Sequence, residues 1–130
     1  MRIGLRSVTV GLALLLSAGA AAAAEKTPFD AARFTAAQQA NRPILVDITA
    51  PWCPTCRAQK PVIESVMTKP EFKELIVFEV DFDTQKEALR NFRTQTQSTL
   101  IAFKGTRETA RSVGDTEAAS IEALIRSALN

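Results

Sequence analysis

Ala50-Pro51-Trp52-Cys53-Pro54-Thr55-Cys56-Arg57 contains both cysteines of a 130-residue chain, three positions apart. It follows the apolar run Ile44-Leu45-Val46-Asp47-Ile48. After it, Val62, Ile63, Val66 and Met67 recur at helical spacing. A C-x-x-C pair at a strand-to-helix junction has the arrangement of a thiol–disulfide site. A helix starting at or just after Cys53 directs free N–H groups and the positive end of its dipole at that sulfur, which favours a thiolate. Cys56 follows about one turn later, close enough to close a short ring as a disulfide.

Two other readings compete. Zinc takes about four ligands; this chain offers two cysteines and no histidine, so a metal site would need a second subunit. An inert structural disulfide is the second alternative. So short a loop restricts the unfolded chain less than a long one. Trp52 before the pair and Pro54 inside it fit a shaped reactive site better than a staple.

Trp52-Cys53-x-x-Cys56, with Asp47 before it and Pro61 after it, resembles the active-site region of thioredoxin. The resemblance runs through Val80-Asp81-Phe82-Asp83 to Thr99-Leu100-Ile101-Ala102-Phe103 and Gly114, covering residues 42–129. The Pro54-Thr55 dipeptide is similar to that of periplasmic thioredoxin-like reductants of cytochrome c maturation. The connection after the Pro51–Thr68 segment resembles that of the periplasmic C-terminal domain of a transmembrane thiol-reductant transporter. The family likeness implies a thioredoxin-like α/β fold and dithiol–disulfide exchange without a cofactor. In that scheme Cys53, exposed and acidic, is the sulfur that attacks or is attacked. Cys56 resolves the mixed disulfide, and Asp47 relays the proton. Trp52, Pro54, Thr55 and the Gln97-Ser98-Thr99 edge would shape substrate docking.

Outward from the site, Asp47 interrupts a strand read over residues 44–49, whose apolar run suits a central position. A carboxylate there is costly unless paired or protonated. The bland alternative to a proton relay is a satisfied polar group or an edge exposure. Glu79, in the next strand (residues 76–82), matches the position where thioredoxin has a lysine facing the buried aspartate. If it faces Asp47, two carboxylates share one space and one pKa should rise; if it turns to solvent, it has no such role. Arg57 and Lys60 would at most tune the potential near Cys53.

The chief departure from the family is at Ser98, preceded by Gln97, where a cis-proline is expected. A non-proline cis bond costs about 2.5–4 kcal/mol, so a trans bond is expected here. The Ser98 hydroxyl either reaches Cys53 or belongs to a plain loop. Loss of the proline also leaves a different class of function open, a non-catalytic thioredoxin-like adaptor or Cu(I)-binding protein using both thiols and, if near, Met67.

The remaining elements fit the same plan. A helix is expected over residues 27–41, capped by Thr27 or Asp30, with Phe29, Phe34 and Ala37 inward. Another is expected over 84–93, then a hairpin turning at Lys104-Gly105, and a last helix capped by Asp115 or Thr116. Alternating helix and strand give a mixed sheet of about four strands with helices on both faces.

Residues 1–24 read as a secretory signal peptide: Arg2 and Arg6, an apolar segment from Val8 to Leu16, and an alanine-rich cleavage tract ending before Glu25. An uncleaved anchor is the alternative. Cleavage leaves a single thioredoxin-like domain, residues 25–130. The whole chain has 16 basic and 14 acidic residues. Two of the basic ones leave with the signal, so the charge balances and gives no sign of nucleic-acid binding. Export places the thiols in an oxidising compartment, the periplasm, where a dithiol either rests oxidised or is fed electrons. The expected partners are exported protein thiols and disulfides and a membrane thiol donor. The chain is expected to be a monomer and, given its likeness to reductants, a reductase more than an oxidase or isomerase.

Overall fold

A computed structural model describes residues 23–130; the signal peptide expected over residues 1–24 lies almost wholly outside them. The strand with the longest apolar run takes the middle of the sheet. This is β2 (Pro43–Thr49), which is parallel to β3 (Ile76–Asp81) on one side and antiparallel to β4 (Thr99–Lys104) on the other. On the outside, β1 (Glu25–Pro28) pairs parallel with β3, and β5 (Arg107–Val113) antiparallel with β4. The sheet thus has five strands, in the order β1-β3-β2-β4-β5, rather than about four.

The additional strand is β1. Glu25-Lys26-Thr27-Pro28 has no apolar alternation, and Thr27 and Pro28 belong to this strand rather than to the first helix expected over residues 27–41. Its partner is distant in the chain: Thr27 stands opposite Phe78. An edge position tolerates both its polarity and the terminal proline. The first helix, α1 (Ala31–Gln39), accordingly starts later, with the Asp30 carboxylate accepting the Arg33 N–H at 2.8 Å.

Strand alternation sorts the side chains into two layers. Ile44, Val46 and Ile48 join Ile76, Phe78, Val80, Ile101 and Phe103 beneath α1 and α3 (Lys86–Asn91). On that side Phe34 meets Phe29, Phe78, Phe92 and Phe103, with ring centroids 5.2–5.7 Å apart. On the opposite face Leu45, Val77, Leu100 and Ala102 pack against α2 (Pro54–Met67) and α4 (Ala118–Arg126). Asp47 and Glu79 continue the Leu45 and Val77 rows, so both face the α2 layer. The β4–β5 turn falls at Gly105, where φ is 57° and an added Cβ would lie 2.7 Å from Asn41 Oδ1.

Candidate active site

Strand β2 delivers the chain through Ala50 into the turn that starts α2. Cys53 is the N-cap residue, and its extended backbone lets Sγ accept the Cys56 N–H at 3.1 Å. Pro54 fills the first helical position, where a missing N–H costs nothing. The two cysteines have Cα atoms 5.3 Å apart and sulfurs at bonding distance, so the structure is that of the oxidised pair. The peptide N–H at Cys56 that holds Sγ is also placed to meet negative charge on Cys53 once the bond opens.

The expectation of an exposed Cys53 is corrected. It is 1 % exposed and Cys56 6 %. The pair packs against Ala50 and the Phe82 ring, and the N-cap geometry folds Cys53 Sγ back over the first turn. What is open is Trp52, 53 % exposed. Its indole N–H donates to Asp83 Oδ2 at 2.9 Å, and its ring stands edge-on to Phe82 at 6.2 Å. Pro54 is exposed and Thr55 half-buried beside it.

A groove of about 470 Å³ opens on the other side of the pair. Cys56, Arg57, Lys60, Glu79 and Gln85 line it. Asp47 and Glu79 are direct register partners on parallel strands, and of the two Glu79 lines the groove. Asp47 is 8 % exposed. Burial pushes its carboxyl up from 3.8 to about 7, helped by the Glu79 charge and opposed by Lys26 and Lys60. Glu79 is half-buried, lines the groove and faces Asp47. Two acidic groups thus stand side by side on neighbouring strands, Glu79 at the groove and Asp47 buried. Arg57 is exposed and its guanidinium donates to the Pro51 carbonyl at 3.2 Å, bracing the active-site turn.

The Gln97-Ser98-Thr99 edge differs in detail from the expected docking surface. Among the described residues no peptide bond is cis, and Ser98 has φ 54°. Its hydroxyl donates to the Gln97 carbonyl at 2.6 Å, the local alternative to Cys53. Thr99 is fully buried and its hydroxyl donates to the Thr96 carbonyl at 2.6 Å. Turned inward in this way, Ser98 and Thr99 can offer backbone but little side chain, and only Gln97 of the three keeps surface.

Two residues not singled out from the sequence border the site. Val113 is 59 % exposed, pairs with Thr99, and precedes Gly114, whose N–H donates to the Ser98 carbonyl at 2.9 Å. With Trp52 it is one of two large apolar side chains exposed among the described residues. Gln59, buried on α2, donates from its amide to the Ser98 and Asp115 carbonyls. Neither carries a local signal: a valine ending a strand reads as core, and a glutamine on a helix reads as solvated.

The thioredoxin family model matches residues 25–127. The thioredoxin of Mycobacterium tuberculosis H37Rv is 39% identical over 85 residues, covering 65% of this chain and 72% of that one. The thioredoxin of Alicyclobacillus acidocaldarius is 32% identical over 98 residues, covering 75% of this chain and 92% of that one. Among solved structures, Trxlp from Edwardsiella tarda EIB202 superposes with a TM-score of 0.74 at 40% identity, covering 78% of this chain and 97% of that one.

Proposed function

The chain belongs to the thioredoxin family, and on that premise we propose that its Cys53/Cys56 dithiol reduces disulfides of exported proteins. Membership of the family makes the chain a disulfide oxidoreductase with a C-x-x-C pair. The observation that carries the reading is the pair at the start of α2 beside a groove lined by Glu79, whose register partner is the buried Asp47.

In the proposed cycle the Cys53 thiolate attacks one sulfur of a substrate disulfide, and the other sulfur leaves as a thiolate. Asp47, in its ionised form, takes the proton from the Cys56 thiol. The Cys56 thiolate then attacks Cys53 Sγ, releasing the second substrate thiolate and closing the Cys53–Cys56 disulfide. Two electrons pass to the substrate. Its thiolates take up protons from Asp47 and from solvent through the groove. Trp52 and Val113, the large apolar side chains exposed among the described residues, are the apolar groups offered to the substrate, and Gln97 is a polar one.

Direction rests on two supports. The Pro54-Thr55 dipeptide resembles that of periplasmic reductants. Between β3 and β4 the described chain has only the short helix α3, without the helical insertion of disulfide-introducing oxidases. Arg2, Arg6 and the apolar segment after them support export to the periplasm, where the oxidised pair would need a membrane thiol donor. Strand β1 starts at Glu25, directly after the favoured cleavage point, and the Glu25 N–H donates to the Leu75 carbonyl at 2.9 Å. Cleavage before Glu25 leaves that strand whole.

The test is a pair of rates on the mature protein. The reduced form is expected to cleave insulin disulfides faster than the oxidised form introduces disulfides into a reduced, unfolded protein; the opposite order would reverse the direction. Intact mass of the protein recovered from a periplasmic extract is expected to match a chain starting at Glu25, and a full-length mass would mean an anchor.

A further inference from the structure

Gln59 lies one turn beyond Cys56 on α2 and is 1 % exposed. Its amide nitrogen donates to the Ser98 carbonyl at 3.1 Å and to the Asp115 carbonyl at 2.8 Å. Both partners are acceptors only, which fixes the amide orientation: nitrogen toward the carbonyls, Oε1 away. Oε1 has no hydrogen-bond partner among the described residues. A buried orphan acceptor is unfavourable. Packing alone would therefore be served better by leucine at this position, and the distinctive contribution of glutamine is its two donated bonds.

Both ends of the tie matter. Ser98 holds φ at 54°, a left-handed conformation uncommon for a residue with a Cβ, so its loop needs outside support. Asp115 is itself anchored: its carboxylate accepts the Glu117 N–H at 3.0 Å and the Ser120 hydroxyl at the start of α4. Thr99 pairs with Ile48, and β2 runs from Ile48 through Thr49 straight into the disulfide turn. The loop that Gln59 grips therefore stands at the disulfide end of the sheet.

We propose that Gln59 is a positioning residue that fixes the Gln97–Thr99 backbone beside the disulfide, by tying Ser98 to α2 and, through Asp115, to α4. The docking role of that loop belongs to the family resemblance; Gln59 is the residue that holds the loop in place. This rests on the oxidoreductase reading above, and it assigns Gln59 to substrate affinity rather than to electron transfer.

The test uses Gln59→Leu, which keeps the bulk and removes both the donors and the orphan acceptor. Amide hydrogen exchange is read at Gly114, whose N–H shares the Ser98 carbonyl, alongside insulin-reduction kinetics and the reduction potential. Exchange at Gly114 and KM are each expected to rise about tenfold, the scale of one lost hydrogen bond, with kcat and the potential unchanged. Unchanged exchange in the folded variant overturns the proposal. So does a change in kcat or potential with KM unmoved, which would place Gln59 in the chemistry instead. Should the variant not fold, the wild-type exchange pattern still decides: Gly114 is expected to exchange as slowly as strand amides of β4, and open-loop exchange there refutes a fixed edge. Exchange needs no turnover, so a wild-type protein inactive on insulin would sink the oxidoreductase reading while leaving the tie itself to be judged.

Discussion

Among single side chains, Asp47 carries the clearest consequences. Its folded-state pKa, about 7, lies above the ordinary 3.8, so the native state holds this proton more tightly than the unfolded chain. The contribution to stability is present in full below about pH 4 and is lost as pH rises through about 7. The loss above pH 7 is on the order of 4 kcal/mol at most. Asp47→Asn is therefore expected to raise the urea midpoint at pH 8 and to leave it nearly unchanged at pH 4. The same variant should slow resolution of the mixed disulfide at pH 7.5 by about a hundredfold, the scale of a lost general base. Stopped-flow release of substrate thiol checks this, and an unaltered rate would remove Asp47 from the proton path. Glu79→Gln takes away a neighbouring negative charge, so the pH midpoint of resolution should move down; a midpoint that stays put would detach Glu79 from Asp47. Asp47 stood out in the sequence because a carboxylate interrupts an apolar strand. Whether Glu79 stands opposite Asp47 stayed open, because that pairing depends on β2–β3 register, which no local pattern encodes. The inward turn of Thr99 and Ser98 was hidden for a similar reason: their hydroxyls are satisfied within their own loop.

At the element scale, α2 does two jobs. Its N-terminus holds Cys53, and its apolar stripe, including Ile63 and Val66, seats it on the sheet. This much was legible, since helical spacing and the C-x-x-C pair occupy one segment. The burial of Cys53 was not, because it comes from the covering Phe82, distant in sequence, and from the N-cap turn. In the proposed cycle Cys53 attacks first. Cys56→Ser is expected to accumulate a mixed disulfide through Cys53, and Cys53→Ser is not; trapping by Cys53→Ser instead, seen on non-reducing gels, would invert the roles. Elsewhere, Asp30 caps α1, and Asp30→Ala should cost about 1 kcal/mol in denaturant unfolding. Strand β1 escaped the sequence reading because edge strands need neither an apolar face nor β-branched residues when their partner supplies the burial. Gln59 escaped it because its partners lie 39 and 56 residues away.

For the whole molecule, two apolar layers clasp a five-stranded sheet, and the chemistry gathers at the end of its central strand. The alternation of elements and the periodicity of their apolar residues foretold that architecture, while strand order came from pairings across the chain. Phe78, fully buried among the aromatic side chains of one layer, should cost about 3–5 kcal/mol when cut to alanine, read from the urea midpoint. Under the proposed function this fold delivers electrons outward. The most direct test is the reduction potential of the Cys53–Cys56 pair, measured by equilibrating the mature protein with dithiothreitol or glutathione. A reductant is expected near −270 mV, the region of thioredoxin, at about which a membrane donor is needed to keep it reduced. A value near about −120 mV would mark a strong oxidant and contradict the account.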